Sequence, residues 1–197
     1  MPLRVIAGKA KGRKLKTVPG DTTRPIMDKV KEALFSILGP SIHGTSFLDL
    51  FAGTGSVGIE ALSRGAAHVT FIDMEKLAIQ TIYENLKSTQ LEGNAVVKRT
   101  NALNFVAQPP PQPYDYVYVA PPQYQSLWLE ALKVLDQQAA WRALEPLIIV
   151  QIDPKEHKDY PFQYLEKVDE RKYGNTLLCF FEVNSDIVAS DADEHKS

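Results

Sequence analysis

The sequence is poor in the features that mark several common classes of protein. Its 197 residues include one cysteine, Cys179, which excludes a disulfide framework and a cysteine-based metal site. No apolar run approaches the roughly 20 residues that cross a bilayer. The basic N-terminus lacks the apolar segment of a secretory signal, and the four histidines show no metal-ligand spacing. The expectation is a cytoplasmic protein without a membrane partner.

Negative charge is missing from one end of the chain. Residues 1–20 carry six of the 22 lysine and arginine residues and none of the 24 aspartate and glutamate residues, although the formal net charge is −2. A basic block on an otherwise acidic chain favours a polyanion, such as nucleic acid, as partner. The alternative is a solvated arm that keeps the protein soluble. The six cations are Arg4, Lys9, Lys11, Arg13, Lys14 and Lys16.

Apolar periodicity predicts alternating strands and helices. Residues 3–18 alternate apolar and basic side chains around Gly8 and Gly12, which indicates a small hairpin or an extended arm. A helix is predicted to start at Thr22-Thr23-Arg24-Pro25 and to end at Gly39-Pro40. The other predicted elements are strands at 46–50, 68–72, 95–98, 116–119 and 147–152, helices at 56–64, 75–88 and 126–137, a helical turn at 102–107, and two strands at about 162–169 and 176–183 joined by the turn 172–175.

Repeated strand–helix units predict an α/β fold. Helices should cover both faces of a mostly parallel sheet, and the terminal hairpin should add antiparallel strands at one side. The proline run at 109–113 is predicted to be a stiff linker inside this fold. The predicted organisation is a basic hairpin and helix over 1–40, an α/β domain over 41–183, and a disordered acidic tail over 184–197.

Candidate ligand residues follow three successive strands, and ligands of open α/β sheets bind at the carboxyl ends of strands. Asp49 leads into the loop Phe51-Ala52-Gly53-Thr54-Gly55, whose glycines permit a tight turn and a close approach to a ligand. This spacing matches neither a dinucleotide fingerprint nor a P-loop. Asp73 ends the second strand, where it can accept hydrogen bonds from a ribose or cap a helix. Asn101-Ala102 follows the third strand, where an amide can read an adenine edge or simply belong to a loop.

A fourth candidate, Ala120-Pro121-Pro122-Gln123, follows the fourth strand. Two successive prolines fix two φ angles and remove two N–H donors, so the neighbouring carbonyl groups are left to accept hydrogen bonds. The alternative is a strand terminator, because prolines interrupt the chain elsewhere too.

Together these segments resemble the RsmD-type methyltransferases, which use S-adenosylmethionine to methylate the exocyclic N2 of a guanine in 16S ribosomal RNA. The resemblance covers residues 3–183. It implies a Rossmann-like class I methyltransferase fold with a seven-stranded sheet and an N-terminal RNA-binding extension. It rests on Arg4–Gly8, Gly12–Leu15, Arg24-Pro25 with Asp28, Glu32–Phe35, Asp49–Gly55, Glu60–Gly65, Asp73 and Pro121-Pro122.

The resemblance also implies roles for the candidate residues. The methionine end of S-adenosylmethionine would be lined by Asp49, Phe51, Gly53 and Gly55. Asp73 would hold the ribose, and Asn101-Ala102 would face the adenine. With the charge pattern, it predicts a monomer that binds ribosomal RNA or a small-subunit assembly intermediate. The predicted RNA contacts are Arg4, Lys9, Lys11, Arg13, Lys14 and Arg24.

The chain departs from the family pattern after the fourth strand. The pattern there is Asp/Asn-Pro-Pro-Tyr/Phe, in which the acidic or amide oxygen and the first proline's carbonyl accept hydrogen bonds from the target amine, and the ring stacks on the base. Ala120 has no side-chain acceptor, whereas the Pro121 carbonyl is retained. Gln123 is the candidate for the missing oxygen, and Tyr118 or Tyr124 for the missing ring.

Three functions therefore remain open. The first is an RNA guanine-N2 methyltransferase with a rearranged acceptor, which the complete cofactor loops favour because losing one transition-state hydrogen bond typically costs about 10²–10³ in rate rather than all catalysis. The second is a cofactor-binding RNA or ribosome-assembly factor without transfer activity. The third is a small-molecule or DNA amino-methyltransferase, which is weakened by the lack of a separate target-recognition domain.

Overall fold

Strands and helices alternate along the chain in the computed structural model, which describes residues 3–20 and 26–188. The strands are β1 (Ser46–Leu50), β2 (His68–Asp73), β3 (Ala95–Arg99), β4 (Tyr116–Val119), β5 (Leu147–Ile152), β6 (Leu165–Tyr173) and β7 (Thr176–Val183). The α-helices are α1 (Asp28–Leu38), α2 (Ser56–Ser63), α3 (Lys76–Thr89), α4 (Ala102–Val106), α5 (Leu127–Gln137) and α6 (Ala139–Arg142). Short 3-10 turns cover Gly39–Ile42, Glu92–Asn94 and Pro154–Glu156.

The seven strands form one sheet in the order β3-β2-β1-β4-β5-β7-β6. β1 to β5 are parallel, β7 is antiparallel to β5, and β6 is antiparallel to β7. The predicted α/β fold with a terminal antiparallel hairpin is confirmed. The order reverses between β1 and β4, and ligands of open α/β sheets bind in the crevice at such a reversal. The loops after these two strands are therefore placed to form a site.

Two apolar cores cover the two faces of the sheet. Side chains of a strand alternate between faces, so Phe47 belongs to the core under α1, α2 and α3, whereas Leu48 and Leu50 belong to the core under α5. Asp49 shares its face with Phe47 and is buried there. A carboxylate thus occupies a core position at the end of β1.

The basic N-terminal segment is a hairpin that packs on the first core. Its backbone pairs through Val5 N–H to Arg13 O (3.0 Å) and Leu15 N–H to Leu3 O (2.8 Å), and the side chains of Leu3, Val5 and Leu15 are buried. Gly8 has a φ of +82°, and a Cβ there would lie 1.8 Å from the carbonyl oxygen of Ser63. Gly8 therefore lets the hairpin lie directly on α2.

The structure differs from the prediction at the hairpin of β6 and β7. β6 spans Leu165–Tyr173 rather than 162–169, and the turn is reduced to Gly174 and Asn175, because residues up to Tyr173 pair with β7. Only Leu165 is buried in this edge strand, so its sequence lacks the apolar pattern of a strand.

Two predicted segments lie wholly or partly outside the described residues. The predicted helix start at residues 22–25 is one of them; because Met27 has an extended backbone and α1 begins only at Asp28, the prediction that this helix starts at 22–25 is wrong. Of the predicted tail over 184–197, the structure describes 184–188, and residues 185–188 are helical. Within 3–20 and 26–188, no helix has both the length and the apolar character needed to span a membrane.

Candidate functional site

The four predicted ligand segments lie at the carboxyl ends of four neighbouring strands. The loop at 51–55 follows β1, Asp73 ends β2, Asn101 follows β3, and Ala120 follows β4. These strands are adjacent in the order β3-β2-β1-β4. The fold therefore aligns the four segments along one edge of the sheet.

Asp49 supports the first loop from inside the protein. Its side chain is almost fully buried, and its Oδ2 accepts a hydrogen bond from the backbone N–H of Gly58 in α2 at 2.9 Å. Burial raises the pKa of Asp49 to about 8, the Gly58 hydrogen bond opposes this shift, and the Asp73 carboxylate adds to it. Asp49 thus fixes α2 relative to β1.

The loop after β1 is a narrow turn stabilised by its own backbone. Gly55 N–H donates to Ala52 O at 2.7 Å, and Ala52 N–H donates to Ile72 O at 2.9 Å. Phe51, Gly53 and Gly55 have φ values of 65°, 56° and 74°, a region that L-residues rarely adopt. Apart from Gly53 and its two chain neighbours, no described residue has an atom within 4 Å of the place that a Cβ on Gly53 would occupy, so a ligand can approach the backbone there.

Asp73 joins the first loop to the second strand end. Its Oδ2 accepts a hydrogen bond from Gly53 N–H at 2.8 Å, and its Oδ1 accepts one from Glu75 N–H at 2.9 Å. Asp73 therefore stabilises the turn before α3 but does not cap that helix, whose N-cap residue is Glu75 without a side-chain cap hydrogen bond, so the capping alternative is wrong. Each carboxylate oxygen has a second lone pair, so these contacts leave Asp73 able to accept further hydrogen bonds.

Asn101 is the N-cap of α4. Its Oδ1 accepts hydrogen bonds from Leu103 N–H at 2.9 Å and Asn104 N–H at 3.1 Å, and Ala102 is buried behind it. The amide oxygen is committed to the helix, so the side chain has only Nδ2 left for an adenine edge. The predicted contact with adenine stays a prediction.

The segment after β4 is attached to the loop after β5. Tyr124 N–H donates to Glu156 Oε2 at 2.8 Å, and the Tyr124 hydroxyl donates to Asp153 Oδ2 at 3.2 Å. Tyr124 has a φ of 62°, and its ring is two-thirds exposed. Pro122 and Gln123 are exposed, whereas Ala120 and Pro121 are partly buried.

Tyr118 is not available to stack on a base. Its ring is buried in the first core, 6.4 Å from the ring of Phe47, and its hydroxyl donates to Gln151 Oε1 at 2.6 Å. Burial and the adjacent Asp49 carboxylate raise the pKa of Tyr118 well above its usual value. Of the two predicted rings, Tyr124 is the accessible one.

A buried ionic cluster, which the sequence analysis did not predict, attaches the hairpin to the fold. Glu60 accepts hydrogen bonds from Ile6 N–H at 2.8 Å and Ala7 N–H at 3.0 Å, and it contacts Lys31 Nζ at 3.4 Å and Arg64 Nε at 2.8 Å. Lys31 and Glu60 have no exposed side-chain surface. Burial lowers the pKa of Lys31, and the Glu60 carboxylate opposes this shift.

The hairpin presents four basic side chains that are free of acidic partners. Arg4 pairs with Asp28 at 2.9 Å, and Lys16 pairs with Glu84 at 2.8 Å. Within the part of the chain that the structure describes, no carboxylate lies within 4.0 Å of the other four cations, which are all exposed: Lys9, Lys11, Arg13 and Lys14. The remaining predicted RNA contact, Arg24, lies outside the described residues.

A second group of polar side chains lies after β5 and on β6 and β7. His157, Glu170 and Cys179 bring possible ligand atoms within 4.8 Å of one another. The ammonium group of Lys167 already contacts Glu170 at 2.9 Å and His157 at 3.3 Å, and burial raises the pKa of the Cys179 thiol to about 12. The group is therefore a local charge network in which the cation is a lysine.

The family model described as "Conserved hypothetical protein 95" matches residues 3–182. The relative named ribosomal RNA small subunit methyltransferase D in Escherichia coli is 41% identical over 149 residues, which are 76% of this chain and 74% of that protein. The relative of that name in Buchnera aphidicola subsp. Acyrthosiphon pisum is 31% identical over 183 residues, covering 92% and 93%. The Bacillus subtilis relative YlbH is 53% identical over 100 residues, about half of each chain (51% and 54%).

Solved structures share the whole fold. The Escherichia coli protein yhhF superposes with a TM-score of 0.81 at 34% identity, covering 94% of this chain and 99% of that one. The Haemophilus influenzae protein HI0767 superposes with a TM-score of 0.75 at 32% identity, covering 93% and 99%. The resemblance read from the motifs is confirmed: the chain belongs to the Conserved hypothetical protein 95 family, the RsmD family.

Proposed function

We propose that this protein transfers a methyl group from S-adenosylmethionine to the exocyclic N2 of a guanine in 16S ribosomal RNA. The observation that carries the proposal is the alignment of the glycine loop, Asp73 and the Pro-Pro segment along one edge of the sheet. The relatives named ribosomal RNA small subunit methyltransferase D support ribosomal RNA as the substrate class. A monomer in the cytoplasm is part of the same proposal.

The residues at the ends of β1 and β2 fit S-adenosylmethionine. The open space beside Gly53 admits a ligand to the backbone, and the Asp73 carboxylate beside it can accept hydrogen bonds from ribose hydroxyls. When bound, S-adenosylmethionine supplies an electrophilic methyl group on a sulfonium. A structural neighbour at 18% identity, SMU.776, was solved in complex with S-adenosylhomocysteine.

The N-terminal hairpin is the proposed RNA contact. Its four cations that have no acidic partner among the described residues lie on the exposed side of a hairpin whose other side is packed against α1 and α2. Lysine and arginine bind phosphates with little dependence on base sequence. The hairpin would thus hold the RNA backbone while a base enters the site.

The chemistry requires that a weakly nucleophilic amine be held in line with the methyl group. The lone pair of guanine N2 is delocalised into the ring, and acceptors for its N–H groups orient it for attack. The Pro121 carbonyl is one such acceptor, and Gln123 is the side chain first considered for the other. The side chain of Ala120 supplies none.

Methyl transfer to RNA tests the proposal. Purified protein is incubated with S-adenosylmethionine labelled in the methyl group and with either protein-depleted 16S RNA or partly assembled small subunits. Digestion to nucleosides should yield labelled N2-methylguanosine. A protein that binds both ligands but transfers no label would be the non-catalytic assembly factor, and label on DNA or a small molecule alone would favour the third function.

A further inference from the structure

We propose that the Glu156 carboxylate is the side-chain acceptor for the target amine. It would replace the Asp or Asn side chain that the family pattern has at the position of Ala120. This inference rests on the proposed function. Glu156 lies after β5, and β5 is adjacent and parallel to β4, with Val150 opposite Val119. The chain that follows β5 is therefore beside the Pro-Pro segment that follows β4.

The local fold fixes the carboxylate against that segment. Asp153 Oδ1 accepts a hydrogen bond from Lys155 N–H at 2.9 Å, which closes the 3-10 turn Pro154–Glu156. Glu156 Oε2 then accepts the Tyr124 N–H at 2.8 Å, one residue beyond Gln123. The Tyr124 hydroxyl contacts Asp153 Oδ2 at 3.2 Å, so two contacts join the two loops.

One oxygen of this carboxylate is left without a donor. Glu156 Oε1 is buried from solvent, and none of the described residues donates a hydrogen bond to it. A buried polar atom without a partner is rare, and it is one signature of a functional group. An N–H donor entering beside the Pro-Pro segment would satisfy Oε1, and the amino group of a guanine provides such a donor.

Gln123 is less suited to this role. Its side chain is exposed, and none of the residues that the structure describes forms a hydrogen bond with it. An acceptor that must be ordered during the reaction stabilises the transition state less than one that is already fixed. Glu156 is fixed by the Tyr124 contact, and its charge makes it a stronger acceptor than an amide.

The transfer step balances with Glu156 as acceptor. The N2 lone pair forms the new N–C bond to the methyl carbon while the electron pair of the C–S bond stays with sulfur. The nitrogen then carries one proton in excess, and this proton passes to the Glu156 carboxylate, which releases it to water. The products are the N-methylated base, the neutral thioether and one proton.

Single-turnover methyl transfer with saturating RNA and S-adenosylmethionine tests the assignment. Glu156→Ala should lower the rate constant about 100-fold, whereas dissociation constants for both ligands stay within about threefold. Glu156→Gln, which keeps an acceptor oxygen, should retain at least about a tenth of the rate. Glu182→Ala, at an exposed glutamate on β7, is the matched control and should behave as the unmodified protein.

A rescue experiment distinguishes two roles of Glu156, as the acceptor for the amine or only as a structural support for the loop that contains Tyr124. Adding Ala120→Asp to the Glu156→Ala variant should raise its rate constant at least about tenfold, because it returns an acceptor without restoring the Tyr124 contact. The assignment fails if Glu156→Ala keeps the full rate, if Gln123→Ala alone abolishes it, or if Ala120→Asp gives no rescue. Absence of transfer by the unmodified protein would instead overturn the proposed function itself.

Discussion

Lys31→Met is expected to destabilise the protein far more than the loss of a surface lysine. Lys31 Nζ lies 3.4 Å from a Glu60 oxygen, and neither side chain is exposed. Removing one partner of such a pair leaves a buried charge and typically costs about 3–5 kcal/mol. Arg64 and two backbone amides still contact Glu60, which favours the lower end, about 3 kcal/mol. For a chain of this size, that is a fall in Tm of about 6–12 °C.

Thermal unfolding followed by circular dichroism measures this effect, with Lys16→Met as the matched control. Lys16 also pairs with a glutamate at 2.8 Å, but its side chain is 70% exposed, and such pairs contribute little. The control should therefore shift the Tm by about 2 °C or less. Equal shifts for the two variants would refute the reasoning. In the same assay, the double variant Lys31→Met/Glu60→Gln should lose less Tm than the two single variants added together, because it no longer buries an unpaired Glu60 carboxylate.

Three further outcomes are expected. Asp73→Ala should weaken S-adenosylmethionine binding by about 1–3 kcal/mol in calorimetry, because ribose hydroxyls lose a charged acceptor; no binding to the unmodified protein would overturn the cofactor assignment. Neutralising Lys11, Arg13 and Lys14 together should reduce the salt dependence of RNA binding by about two in log–log slope, at about 0.7 per contact, and an unchanged slope would return the hairpin to the solvated-arm alternative. The pKa of Asp49 is raised from 3.8 to about 8 in the fold, so its contribution to stability is present below about pH 4 and is lost as the pH rises through about 8. Between pH 5 and 8, the Tm of Asp49→Asn should therefore fall less than the Tm of the unmodified protein. Parallel plots of Tm against pH for the two proteins would contradict this account.

Four of the five parallel strands could be predicted from sequence because they are buried on both faces; β3, which has no buried residue, is the exception. β1, β4 and β5 consist of short apolar runs bounded by turns, and their predicted limits agree with the structure. β6 lies at the edge of the sheet with mostly charged, exposed side chains, and periodicity carries little information there. Its extent is determined by backbone pairing with β7, which the turn at Gly174 brings into register.

The order of the site segments could also be predicted, but the partners of their side chains could not. Strand ends are local features, and their alignment follows from the parallel topology. The sequence could have predicted that the Tyr118 ring is buried and cannot stack on a base. Tyr118 alternates with Val117 and Val119 and shares a core face with Tyr116. The commitment of the Asn101 oxygen to α4 depends on a cap geometry that many loop asparagines do not adopt.

Polar contacts join the hairpin to the turn at residues 51–56, between β1 and α2. No local sequence pattern predicts them, because they join residues far apart in the chain. Lys31 Nζ donates to the carbonyl oxygen of Arg4 and to Ser56 Oγ at the start of α2. Asn85 Nδ2 donates to the carbonyl oxygens of Lys16 and Thr54. Each end of the hairpin is thus joined through one buried side chain to the turn that would hold the methyl donor. The distance from the basic hairpin to this turn is therefore set by the fold. If the hairpin binds RNA as proposed, this would reduce the ordering cost of bringing a target base to the methyl group.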